Sequence, residues 1–223
     1  MFSLHLRQIT GLVAALAIGL SVSGCSETVR QGQSPAYLII NQLEAASGAD
    51  DESFSNLLAS DVVTNGTIFE DAGRVTFALA LKNIGSPGQP TAPTTNNYIT
   101  VTRYRVEFRR TDGRNTPGVD VPYSFDGAGT VTVTESGTSM VFAIVRAQAK
   151  IESPLKNLAA GGGAALISTI AEVTFYGKDQ TGNDVAATGS ISVNFADWGD
   201  PPDTSGGDSG GDSGGDSGGE GAN

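Results

Sequence analysis

Residues 74–83 read RVTFALALKN. Val75, Phe77, Leu79 and Leu81 take the odd positions, while Thr76, Ala78, Ala80 and Lys82 fill the even ones with small or polar side chains. Successive side chains of a strand point to opposite faces, so this alternation gives one buried and one solvated face; the period is two, not 3.6.

The same period recurs outward from this stretch. In YITVTRYRVEFRR, residues 98–110, Tyr104, Val106 and Phe108 oppose Arg103, Arg105, Glu107 and Arg109. In DVAATGSISVNF, residues 184–195, Val185, Ala187, Ile191, Val193 and Phe195 alternate with small or polar partners. The run SMVFAIVRAQAK, residues 139–150, is apolar on both faces from Met140 to Val145, which predicts a central strand. Asn65-Gly66 supplies the dipeptide that best tolerates positive φ in a tight hairpin, and Asp112-Gly113 and Gly182-Asn183 mark two further reversals. Helix signals are confined to Asp51–Leu58, capped by Asp50, and to Pro154–Ala160 before Gly161-Gly162-Gly163.

Strands are expected near residues 37–43, 61–64, 67–69, 75–82, 98–110, 129–134, 140–150, 169–177 and 184–195, the two short ones forming one bent strand. Without long helices between them, they predict an all-β fold, an antiparallel sandwich of about seven to nine strands. Residues 36–199 form one domain of roughly 165 residues, large enough to bury about two thirds of its unfolded surface without disulfides.

Both flanks differ in composition. Residues 1–24 combine Arg7 and the α-amino group with a short apolar run over Gly11–Leu20, then small residues. The run falls short of the ~20 apolar residues that span a bilayer, so it predicts a cleaved export signal. Residues 25–35 continue in the polar SETVRQGQSP, a tether. From Asp200 to Asn223 the chain is Gly, Ser and Asp with almost no apolar side chain, which predicts a disordered acidic tail reaching roughly 25–30 Å.

The tail contains Gly-Asp-Ser-Gly-Gly three times, the letters that surround the reactive serine of chymotrypsin-like proteases. A serine needs a positioned base and fixed oxyanion donors, and the only histidine, His5, lies in the leader. Ser209, Ser213 and Ser217 are therefore read as spacer, and Asp208, Asp212 and Asp216 as loose polyanion, since no apolar residue folds the repeat into a calcium coil. No catalytic residue and no cofactor is assigned, and with no histidine and no cysteine but Cys25 in the mature chain, no metal site is expected.

Val22-Ser23-Gly24-Cys25 resembles the lipobox of bacterial lipoproteins. That resemblance implies cleavage before Cys25, lipidation of its thiol, and anchoring in a membrane; Ser26, where an aspartate would favour inner-membrane retention, points to the outer membrane. Cys25 is the only cysteine, and lipidation accounts for a lone thiol in an exported chain. Residues 171–195, AEVTFYGKDQTGNDVAATGSISVNF, resemble the last hairpin of bacterial immunoglobulin-like and fibronectin-type domains, which implies an Ig-like sandwich. The Cys and Trp signature of antibody domains is missing.

Within the body, Arg103, Arg105 and Arg109, followed by Arg110 and Arg114, form the most pointed basic feature, a candidate surface for an acidic partner. The competing account is a solvated face interleaved with Glu107 and cross-strand carboxylates. Asp126, Asp179 and Asp184 lie in expected loops that could meet at one end, while Asp50, Asp51 and Glu52 suit a helix cap. The long loop at 83–97 is a further candidate. A net charge of −11 opposes nucleic-acid binding. The expectation is a non-catalytic, lipid-anchored envelope module for a protein or glycan partner. The alternative is a calcium- or carbohydrate-binding module using loop carboxylates.

Overall fold

The computed structural model describes residues 32–50, 52–159, 165–198 and 200, and there the chain is predominantly β. Its strands are β1 (Ala36–Ala46), β2 (Leu57–Asp61), β3 (Asp71–Leu81), β4 (Gly85–Ser86), β5 (Gln89–Pro90), β6 (Ile99–Arg109), β7 (Phe125–Val133), β8 (Thr138–Val145), β9 (Ile167–Asp179) and β10 (Asp184–Ala196). They build a three-stranded sheet, β1-β3-β8, and a five-stranded sheet, β2-β10-β9-β6-β7; β4 and β5 make a two-residue ribbon inside the 83–97 loop. All pairs are antiparallel except β2 with β10, which is parallel.

The stretch at 74–83 behaves as its alternation dictates. Val75 and Phe77 of β3 are sealed in the core, with Leu79 and Leu81 packed at its margin. Phe77 meets Phe175 of β9 edge-on at 5.0 Å, and Phe142 of β8 meets Tyr104 of β6 at 4.9 Å and Phe175 at 5.2 Å. These ring contacts join the two sheets across one apolar layer, and burying each large side chain contributes ~2–3 kcal/mol. In β6 a bulge between Val101 and Arg103 moves the inward set from Ile99 and Val101 to Tyr104, Val106 and Phe108.

Several sequence expectations need correction. Residues 140–150 are not a central strand: β8 pairs with β3 alone, its Val141 is exposed, and after Val145 the chain turns into a helical turn, Ala147–Lys150. An edge strand that turns inward immediately afterwards needs the same apolar run. Leu57 and Leu58 open β2 rather than close a helix, and Ser55 bridges to Ala45. Asn65 and Gly66 do adopt positive φ, 49° and 74°, but a single bridge between Thr64 and Thr67 flanks the turn, so residues 61–64 and 67–69 are not paired strands. β7 begins at Phe125, earlier than its glycines suggest, because the Tyr104 ring lies where a side chain at Gly127 would stand. Among the described residues of the second expected helix, only Leu155–Asn157 is helical, as a 3₁₀ turn. The leader, Cys25, residues 160–164 and the tail beyond Asp200 lie outside the described residues.

The register sorts the loops into two ends. One end gathers the start of β1, the end of β3, the 83–97 loop, the β7–β8 turn and the β9–β10 hairpin. The other gathers the end of β1, the start of β3, the 110–124 loop, the segment after β8 and the end of β10.

Candidate functional site

The outer face of β6 carries the basic residues singled out in the sequence. Pairing places Arg105 opposite Asp126 of β7 and sets Glu107 opposite Glu172 of β9. Two carboxylates facing each other across a sheet repel, and Arg109 resolves the conflict by bonding both: Nε to Glu172 at 2.9 Å and Nη2 to Glu107 at 3.3 Å. Arg105 bonds Glu107 through Nε and Asp126 through Nη1, each at 2.8 Å, and donates Nη2 to Ser124 Oγ at 3.0 Å. Arg103 reaches the other oxygen of Asp126 at 3.2 Å and lies 4.1 Å over the Tyr176 ring.

Arg103, Arg105 and Arg109 thus alternate with Asp126, Glu107 and Glu172 in one continuous ladder. The bond from Arg105, seconded by Arg109, holds the Glu107 carboxyl below the usual carboxylate range, while its bond to Glu107 raises Arg105. An incoming anion would have to displace a carboxylate already in place. Arg110 and Arg114 converge on Asp112, holding that carboxyl well below its ordinary range and folding the start of the 110–124 loop. Beside this loop lies a shallow cleft of about 250 Å³ bounded by Glu107, Phe108, Arg109, Asn115, Val121 and Ser124.

The loop carboxylates do not converge. Asp126 belongs to β7, opposite Arg105 and near the 110–124 end, whereas Asp179 and Asp184 flank the β9–β10 hairpin at the opposite end. Asp179 organises that hairpin itself. Its Oδ1 accepts from the N–H groups of Thr181 and Asn183, both at 2.9 Å, and from the Thr181 hydroxyl, and its Oδ2 accepts from the Asn183 amide. Burial pushes the carboxyl up, but donors from Asn183, Thr181 and Ser34 outweigh it and lower the pKa to about 2. Asp184 bonds Lys178. Among the described residues no group of three or more His, Cys, Asp or Glu side chains is arranged to hold a metal ion.

One polar cluster was not anticipated from the sequence. Asp71, at the start of β3, accepts from Lys150 Nζ, from the Ser60 hydroxyl at 2.6 Å and from the Gly48 N–H at 2.9 Å. Ser60, Asp71 and Lys150 carry residue types found in hydrolases, yet all three are sealed from solvent and the hydroxyl proton already points at a carboxylate. The cluster is a structural tie. No family model, no curated protein and no solved structure matches the chain.

Proposed function

We propose that the chain is a non-catalytic, lipid-anchored protein of the cell envelope that presents an Ig-like body to a protein or glycan partner. The observation that carries this reading is the sole cysteine, Cys25, directly after Val22-Ser23-Gly24 at the end of a short apolar run. A diacylglyceryl thioether on Cys25, with or without a further acyl chain on its α-amino group, would hold the protein on a membrane almost permanently, since each buried methylene contributes about 0.8 kcal/mol. Ser26 favours the outer membrane.

The strand order supports the Ig-like part. In that topology the first, second, fourth and fifth strands share one sheet, and the third, sixth and seventh share the other, extended in variable types by a strand beside the third; the fourth has no counterpart among the described residues here. Here β1, β3 and β8 stand against β10, β9, β6 and β7, and β2 is a short strand lying parallel to β10. The non-catalytic part is supported by the lack of any histidine between Pro35 and Asn223 and by the carboxylate-matched arginine ladder, which offers a partner a flat polar face rather than a reaction centre. The test is fractionation of cells carrying the parent chain and Cys25→Ser: the parent sediments with membranes as a processed species, and the variant accumulates unprocessed. Equal processing and sedimentation of the two would reject the reading.

A further inference from the structure

Chain entry and chain exit lie at opposite ends of the two-sheet body. Gly32 is held at the 83–97 end, where its carbonyl accepts from Lys82 Nζ at 3.0 Å and the Pro35 carbonyl accepts from the Lys82 N–H at 2.9 Å. At the other end, Trp198 N–H donates to Asp61 and Asp200 accepts from the Asn65 N–H. From Cys25 to Gly32 is seven residue steps, so even a fully extended tether would span no more than ~25 Å.

The entry end exposes three large apolar or aromatic side chains. Ile84 is 76 % exposed, and Tyr37 and Ile39, on the outer face of β1 beside Ala80 and Ala78 of β3, are 53 % and 39 % exposed. Lys82 Nζ lies 5.0 Å over the Tyr37 ring. Residues 83–97 contain no charged side chain. Of the carboxylates at this end among the described residues, Asp179 is enclosed in its hairpin and Asp184 is bonded to Lys178, which leaves Glu135 in the β7–β8 turn. At the exit end, Asp120, Glu152, Asp197 and Asp200 outnumber Lys156, while Asp112 is matched by Arg110 and Arg114.

We propose that the entry end, through Tyr37, Ile39, Lys82 and Ile84, rests on the phospholipid surface to which Cys25 is anchored, and that the acidic exit end faces away. The proposal builds on the lipid-anchor reading. Tyrosine rings settle at the headgroup level, with apolar side chains below them and lysine ammonium groups directed to phosphate. An anionic leaflet repels the carboxylates of the exit end; that end also exposes Val119, Tyr123, Ile151 and Trp198, so the short tether, and not apolar area, selects the entry end. The short tether keeps the patch within reach of the bilayer and leaves the arginine face of β6 and the 110–124 loop to a partner.

The experiment is amide hydrogen exchange on the protein isolated from membranes and reconstituted in vesicles of phosphatidylethanolamine and phosphatidylglycerol, with residues 25–223 carrying Cys25→Ser, expressed without the leader, in solution as reference. Exchange in 36–41 and 82–98 is expected to slow several-fold on vesicles while 111–124 is unchanged. The double variant Tyr37→Ser, Ile84→Ser should lose that slowing and stay membrane-bound. Unchanged exchange in 82–98, slowing in 111–124, or slowing that appears without lipid on raising the protein concentration, the mark of a second copy, would each overturn it. A parallel arm couples an unacylated Cys25 thiol to maleimide-headgroup lipids in the same vesicles. Slowing there with no acyl mass on Cys25 in cells would keep the docking surface and reject the natural anchor; acylated Cys25 without slowing would do the reverse.

Discussion

Lys150 Nζ donates a hydrogen bond to Asp71 Oδ1 at 2.8 Å, and both residues are withdrawn from water, at 2 % and 0 % accessibility. Burial pushes the Asp71 carboxyl up; Lys150, Ser60 and Gly48 oppose that push by bonding the ionised form. The pair joins the helical turn after β8 to the start of β3, with Ser60 adding β2. Removing one partner of such a pair strands a buried charge. Lys150→Met should therefore cost about 3–5 kcal/mol in urea unfolding, and the double variant Asp71→Leu, Lys150→Met less than Lys150→Met alone.

Asp179 sets an acid limit on the β9–β10 hairpin. Its pKa is lowered from the ordinary 3.8 to about 2, so the ionised form is favoured by folding. This contribution is fully present above pH ~4 and is lost as pH falls through about 2. The melting temperature of the parent should drop over that window. Asp179→Asn should melt lower at neutral pH and show a shallower acid dependence between the two limits.

Tyr104 closes part of the exposed edge of β8. Its hydroxyl oxygen accepts from the Ala143 N–H at 3.2 Å, and burial pushes the phenol up. Tyr104→Phe leaves that N–H without its partner, at an expected cost of about 1–2 kcal/mol, and should speed Ala143 amide exchange. Gly127→Val should cost more, because its side chain would overlap the Tyr104 ring.

The arginine ladder should matter little for folding. Its members are at least a third exposed, and solvent screens such pairs so that they add little to stability. Arg105→Ala should shift the urea midpoint only slightly. Paired with in vivo crosslinking, the same variant separates a recognition role from a stabilising one: lost crosslinks with stability kept would place the partner on this face.

Calcium should leave the melting temperature of the body unchanged, because Asp126 is held by Arg103 and Arg105 at one end while Asp179 and Asp184 serve the hairpin at the other. A rise that grows with calcium concentration would reveal a site that binds the folded chain alone.

What the sequence made legible was local and periodic. The alternation at Val75 and Phe77 and at Ile191, Val193 and Phe195 reported burial directly, and Asn65-Gly66 reported its own backbone conformation. Edge and centre were not separable at Met140–Val145, because an apolar run records burial and not the number of neighbouring strands. The bulge in β6 hid in a change of parity between Val101 and Tyr104. At the arginine face the basic residues were visible, yet their matching by Asp126 and Glu172 is a product of register across three strands. Asp71 and Lys150 are separated by 79 residues, and no local pattern links them.

The most direct test of the anchored module is the intact mass of the protein extracted from membranes. It should begin at Cys25 and exceed the mass of residues 25–223 by a diacylglyceryl group, with or without a further acyl chain on the α-amino group. A membrane-extracted chain with an unmodified Cys25, or one that still carries residues 1–24, would contradict it.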